Sequence, residues 1–505
     1  MSQLSKVRQS RTQWKHKATQ RADHNRYWRK QLARVKTERD RTTKALKEAQ
    51  ARLRQLEAHS QGLVVQHKVD LVFLALQLFF VARISFRAVS RVLSLLALAL
   101  GIKNVPCPQT IINWVMRLSL VRIESARMLK GLPLSQAPFT NGLIWMIDSS
   151  IGLGSGKIVA VLALDAQHHH LIQAPPSLEQ VRCLAVSVAE SWTGDTIAEV
   201  LKRLIAQMGR PAAYLKDGGG ELHKAVTLLG EHGLASPCLD DISHAVAGML
   251  KRVYQDHPAF ATFVSACGRV SGKLKHTILA CLAPPTVRTK ARFMHVHRLF
   301  TWADRVLKLS PAGGAKSGST FAKLRACLDE LPACKALIKR FRADAAGLLA
   351  CQKILKSKGL SHDSRAHCEP LIDTMPSSGL RQGFRASLDY ELETATTLGL
   401  DHIGLPISSD AIASLFGVAK QHGVGETQDA ARIALRLPAL CGLPTREEAA
   451  QMLAVGVARQ QAFTANFRPH RTEEQVHRLH TPLSQAVLRS IPMLSLICSP
   501  FSKIG

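Results

Sequence analysis

The sequence predicts a mixed α/β core, interrupted by a long all-helical segment and preceded by helical basic regions. Three observations carry this. First, two apolar runs, Leu143–Ile147 and Ile158–Leu164, are joined by a turn bearing Gly152, Gly154 and Gly156. Short apolar runs bounded in this way read as a hairpin of buried strands. Second, two further apolar runs, Cys183–Val188 and Ala212–Lys216, flank a stretch with helical spacing: Ile197, Val200, Leu201, Leu204, Ile205 and Met208. Third, strand signals vanish over residues 251–405, where Lys-, Arg-, Leu- and Ala-rich segments are split by Pro284-Pro285 and by Pro311-Ala312-Gly313-Gly314. The boundaries that follow are 1–62, 63–135, 136–254, 255–405, 406–425 and 426–505.

Composition narrows the partners. The 505-residue chain is 46% hydrophobic, ordinary for a folded protein, but carries a formal charge of +30. Such a balance favours a polyanion through phosphate contacts and counterion release. A membrane surface would need an amphipathic or lipid anchor. The most apolar stretch, Leu71–Ala82, is 12 residues long and is followed by Arg83, Arg87 and Arg91. A span needs roughly 20 apolar residues, so no membrane partner is expected. The 11 cysteines contain no Cys-x-x-Cys pair, which leaves zinc-ribbon and thioredoxin readings without support. Scattered thiols fit a reducing cytosol. His168-His169-His170 is expected in a solvated turn.

Residues 1–60 hold 17 Lys/Arg against 5 Asp/Glu. Trp28, Leu32, Val35, Leu46, Ala49, Leu53 and Leu56 fall on one heptad seam, with Arg39 and Thr42 at its missing positions. A basic helix leading into a short coiled coil, and hence a homodimer or higher oligomer, is one reading. A lone solvated helix is the other. Residues 66–125 read as wholly helical, with one helix over 69–81 and a second capped by Ser85, running to Leu100 and ended by Gly101. Residues 109–118 then form a candidate recognition helix, with Gln109, Thr110 and Asn113 as base readers and Arg117 beside them. The connection is longer than a helix-turn-helix normally has, and a plain helical bundle is the alternative.

In the core, Thr193, Gly194 and Asp195 start a helix that Gly209 ends and Pro211 keeps from resuming. Gly152–Lys157 lacks the spacing of a phosphate-binding loop and joins strand to strand. Gly218-Gly219-Gly220 is either a close-approach turn or a flexible one. Asp148 and Asp217 each end an apolar strand. Two carboxylates held together repel unless a cation lies between them. Hard oxygen ligands suit Mg²⁺, which retains waters and takes phosphate oxygens, and two such ions can clamp an in-line displacement at phosphorus. The plain alternative is that each aspartate only terminates its strand.

The order Asp148, Asp217, helical insertion resembles a bacterial insertion-sequence transposase with a DDE catalytic core. So does the stretch Leu239-Asp240-Asp241-Ile242-Ser243-His244-Ala245-Val246-Ala247-Gly248, which is similar to that family's Asp-x-x-His motif. The resemblance covers roughly residues 85–420 and implies an RNase H-like fold. It also implies two Mg²⁺ ions (Mn²⁺ as substitute) on Asp148 and Asp217, and site support from Asp241 and His244. Asp241 reads equally as the N-cap of the following helix. The expected partner is double-stranded DNA, terminal repeats and target, in a bacterial cytoplasm beside the nucleoid.

The family's third acid is a Glu on a helix after the insertion, in a Glu-Ser-Leu-Phe-Gly type stretch. Here that stretch reads Ala413-Ser414-Leu415-Phe416-Gly417, with Asp410 as helix cap and Ile412, Leu415, Phe416 and Ala419 as the buried face. An alanine holds no metal. The chain is therefore a disabled copy, engineered or natural, or recruits Asp410, Glu391, Glu393 or Glu426 instead. The leading expectation is a transposase that frees a 3′-hydroxyl and joins it to target DNA, inactivated at Ala413. Its rivals are a non-catalytic DNA-binding or architectural protein and, more weakly, a structure-specific nuclease that cuts without joining. Arg288, Arg292, Arg298, Arg340 and Arg342 are candidate backbone contacts or a solvated helix face.

Overall fold

A computed structural model describes residues 3–467, apart from 60–67, 154–155, 288–291, 310–314, 422–428 and 466. At 3–9, 13, 53–59, 150–153 and 292 it describes the backbone alone. Residues 1–68 with 92–105 form one unit, and 69–91 with 106–505 form another. The first is dominated by α1 (Gln3–His59), a single helix of 57 residues. Its seam residues Trp28, Leu32, Val35 and Leu46 are each more than half exposed. Leu53 and Leu56 lie outside the described side chains.

α2 (Lys68–Phe80) matches the first expected helix. Ser85 caps α3 (Phe86–Leu96) as expected, its Oγ accepting from Ala88 N at 3.2 Å. The helix stops at Leu96, four residues early, and turns lead to Gly101, whose φ of 63° is left-handed.

α4 (Pro108–Arg127) contains the expected recognition helix as its first half. It does not stand apart. Leu118 to Ile123 are buried without a break, Ser119 and Arg122 included, so this stretch of the helix is enclosed on every side. Ala126 joins the core under the sheet, and Arg127 Nε donates to Leu184 O at 3.0 Å. Arg122 is buried and spends its donors on Glu448 (2.8 Å twice) and the carbonyls of Ala439, Cys441, Gly442 and Leu443 (2.7–2.9 Å). The expected boundary near 135 therefore cuts through one packed body, because this helix is shared by the sheet and the C-terminal elements.

The sheet has five strands in the order β3-β2-β1-β4-β5. β1 (Leu143–Leu153) and β2 (Gly156–Asp165) are the expected hairpin, with Asp148 opposite Ala160. β3 (Arg182–Ala189) pairs antiparallel with β2. β4 (Ala213–Lys216) is parallel to β1, and β5 (Cys238–Asp240) is parallel to β4. β5 escapes sequence reading because three residues show no period. Side chains alternate along β1. Leu143, Trp145 and Ile147 pack with Val159, Val161 and Tyr214 beneath α6 (Gly194–Met208) and α7 (Gly220–Glu231). Thr193 closes a capping box on α6, and Gly209 (φ 83°) ends it.

Of the histidine triplet only His170 is exposed. The triplet lies in α5 (His168–Leu171), and His168 and His169 are each 2% exposed. His169 packs on Gly359, where an added Cβ would stand 2.4 Å from its ring, and burial pushes its imidazole down to about 4. The glycine at this contact leaves room for a neutral ring, which the polarity of three histidines in a row conceals.

Beyond α8 (Ile242–Tyr254), residues 251–405 are helical among the described residues, apart from one isolated bridge, Leu360 to Leu405. The helices are α9 (Pro258–Lys275), α10 (Arg292–Leu309), α11 (Thr320–Cys327), α12 (Lys335–Lys358), α13 (His362–Asp373) and α14 (Ser378–Leu398). Stacked Phe263, Phe300 and Phe341 hold this region together, the last two rings 3.8 Å apart. α15 (Asp410–Gln421) returns to pack on β1. α16 (Ala430–Ala434), α17 (Arg446–Leu453) and α18 (Val457–Ala465) complete the described chain. No described helix is long and apolar enough to cross a membrane.

Candidate active site

The register of β1 and β4 sets the site. Ile147 lies opposite Lys216 in a parallel pair, so Asp148 and Asp217 are abreast. Asp217 follows the end of β4 as expected, but Asp148 sits in the middle of β1 rather than at its end, because the strand pairing with β2 continues to Leu153. Neighbouring strands are roughly 5 Å apart. Asp148 shares its face with Ile144 and Met146, away from α6 and α7. Its carboxyl is pushed up to about 7, first by burial and then by the Asp217 charge; Asp241 adds to this and Lys420 opposes it. Asp217 is half-buried, and its Oδ1 accepts from Gly219 N at 3.0 Å.

Asp241 is 1% exposed, and both its oxygens are engaged. Oδ1 takes the N–H groups of Ser243 (2.8 Å) and His244 (3.0 Å), capping α8. Oδ2 takes Ser409 N (2.7 Å) and Oγ (2.9 Å) at the entry to α15. It caps one helix and anchors another, and its negative charge still reaches Asp148. His244 is half-buried and lines a cavity that begins at Asp217.

Ala413 is exposed on α15, beside the buried residues Ile412, Leu415, Phe416 and Ala419. Lys420 lies seven residues later, about two turns on and so on the same helix face. Its charge is felt by Asp148. That helix face carries a cation whose field reaches Asp148 and, at position 413, a methyl group in place of an acid. Among the described residues, no group of three or more His, Cys, Asp or Glu is placed to hold a metal ion.

The substitute acids are committed elsewhere or lie apart. Asp410 is the first residue of α15 rather than a free cap, and its carboxylate pairs with Lys356 Nζ at 2.6 Å. Glu391 is buried on α14, and burial with the Asp240 charge pushes it up to about 8. Glu393 is exposed on α14, and Glu426 lies outside the described residues. Sequence reading missed Lys216, 4% exposed and paired to Asp240 at 2.6 Å directly behind Asp217. It missed Lys420 as well, although the helical period from Ala413 carries that signal.

The expected DNA readers are partly self-engaged. Gln109 is exposed and donates to Asn113 Oδ1 at 3.2 Å, and Thr110 Oγ1 lies 3.3 Å from Cys107 Sγ. Arg117 is tied to Gln460 Oε1 at 2.6 Å, fastening α4 to α18. Arg298 is exposed and lines a cavity of about 430 Å³ with Arg305 and Trp302. Arg342 pairs with Asp304, and Arg340 donates to Ser377 Oγ at 3.1 Å. The Arg292 side chain and Arg288 lie outside the described set.

No family model matches the chain, and no curated protein matches it. Among solved structures, it is similar to the Drosophila P element transposase strand transfer complex, at 13% identity and a TM-score of 0.42, covering 81% of this chain and 100% of that one.

Proposed function

We propose that this chain is a DNA-binding protein of the DDE transposase type, built on an RNase H-like core whose aspartate pair lacks its third acid. The observation that carries this is that Asp148 and Asp217 lie abreast on parallel strands, with α15, the helix that bears Ala413, packed on β1. The formal charge of +30 supports a polyanionic partner. The exposed seam of α1 supports pairing of two copies. Gln109, Thr110, Asn113 and the exposed Arg298 are its proposed DNA contacts, with Arg117 and Arg292 on the same helices.

Asp148 and Asp217 fit one Mg²⁺, or Mn²⁺ in its place, since a divalent ion relieves their repulsion and takes hard oxygens. Such an ion, when bound, supplies Lewis-acid polarisation of a phosphate oxygen. A second ion lacks its carboxylate at position 413. The chain's own part is to hold the pair, with Asp148 giving up its proton at neutral pH and Asp241 fixing the start of α15. His244 borders the approach to Asp217. Ala413 also favours a second reading, a binding or architectural protein without catalysis.

The test is supercoiled DNA with Mg²⁺ or Mn²⁺, comparing this chain with Ala413→Glu. Cation-dependent nicking by the Glu form alone supports a disabled enzyme. Tight DNA binding with equal inactivity of both forms supports the binder.

A further inference from the structure

β3 is an edge of the sheet, since the strand order leaves it β2 as its one neighbour. An edge strand presents a row of backbone N–H and C=O groups that can take a further strand. α4 serves part of that row, where Arg127 Nε donates to Leu184 O at 3.0 Å. Beyond it, Val186, Ser187 and Val188 all line one groove of about 870 Å³. Successive side chains of a strand point to opposite faces, so three consecutive residues border one groove where the strand's edge opens onto it. Among the described residues, no backbone hydrogen bond from outside the sheet reaches these three. α4, α6 and α18 wall the groove, and Trp192 and Phe463 are half-buried in it. Charges on its rim are already paired, Glu124 with Arg459 and Glu199 with Lys202. The groove therefore suits an extended, uncharged, apolar segment.

The chain carries such a segment beyond the point where it reaches the groove. Phe467, the last described residue, lines this groove, and residues 468–505 lie outside the described set. Their sequence includes Met493-Leu494-Ser495-Leu496-Ile497-Cys498, uncharged, apolar apart from Ser495, and bounded by Pro492 and Pro500. A short apolar run with such bounds has the pattern of a strand covered on both faces. The 25 residues from 468 to 492 reach roughly 80 Å when extended, far more than the span of β3.

We propose that Met493–Cys498 adds a strand to the edge of β3, pairing with Val186–Val188 of the same chain. Backbone hydrogen bonds supply the affinity, and the apolar walls select the segment. The added strand also closes an edge that would otherwise template pairing between chains. None of this depends on the proposed function.

The test is iodoacetamide labelling of Cys498 in the full, reduced chain, each rate read by peptide mass spectrometry and divided by that of the same chain in urea. Leu494→Asp with Leu496→Asp spoils the segment, and Ala462→Trp fills the groove from an exposed position on α18. Cys498 should react about tenfold more slowly in the parent than in either variant, and the amides of Val186–Val188 should exchange more slowly by about the same factor. Equal Cys498 rates in all three chains overturn the proposal. So does protection of Cys498 that survives Ala462→Trp, or that leaves the β3 amides unchanged. Protection that grows with protein concentration overturns pairing within one chain and points to a second copy.

Discussion

Replacing Asp148 by asparagine isolates the electrostatic strain of the aspartate pair. The carboxyl moves from 3.8 to about 7 on folding, through burial and the neighbouring Asp217. Each pKa unit is about 1.4 kcal/mol, so the ceiling is about 4 kcal/mol. Asp148 is not sealed from solvent, and screening leaves about 2–3 kcal/mol of that. A raised carboxyl favours folding below its unfolded value, and that contribution is lost as pH climbs through about 7. In EDTA at about pH 4.5, parent and Asp148→Asn should therefore melt close together. Near pH 8.5 the variant should melt about 2–3 °C higher, at about 1 °C per kcal/mol for a chain of this size. Other titrating groups cancel in the comparison. Millimolar Mg²⁺ should raise the parent alone and close the gap. An equal gap at both pH values, or a parent that gains on the variant at high pH, refutes the reasoning.

Asp241→Ala removes four hydrogen bonds and one helix cap, and should cost about 2–4 kcal/mol, read as a lower midpoint in urea. Glu391 is pushed up to about 8 and so is uncharged at neutral pH. Glu391→Gln should match the parent near about pH 4, gain on it as pH climbs from 4.5 to about 8 by up to about 4 kcal/mol, and keep that gain above pH 8; thermal melts at about pH 4 and about pH 8 check this. Arg122→Ala leaves Glu448 and four carbonyls without their donor and should cost about 3–5 kcal/mol, seen as early protease cleavage after residue 436. Leu32→Glu with Val35→Glu should shift sedimentation from dimer to monomer while leaving far-UV helicity of the core intact.

The strands of the hairpin were legible because five or more apolar residues end at charged or glycine-bearing positions, and Asp148 and Asp217 were legible for the same reason. Their pairing was not, since only the parallel register of β1 with β4 brings them abreast. Asp241 shows both sides. Its capping of α8 follows from its place before Ile242, whereas its grip on Ser409 spans 168 residues and has no local signal. The helix now α4 has a readable start and period, but it runs to Arg127 rather than 118, and nothing in its spacing says that its second half is enclosed by the sheet and by residues 439–443. His168 and His169 were misjudged because polarity argues for water, and Gly359, which makes room for the buried His169 ring, lies about 190 residues away in sequence.

Asp241 has one more consequence. Its two oxygens hold the start of α8, which leads into the long helical segment, and the entry to α15, which follows it, and Ile242 N to Ile407 O (2.9 Å) doubles the fastening. Everything between hangs from a knot already tied. Lengthening or trimming such a loop changes closure entropy only logarithmically. The helical segment between them is thus free to change in size and surface while α15 keeps its seat on β1.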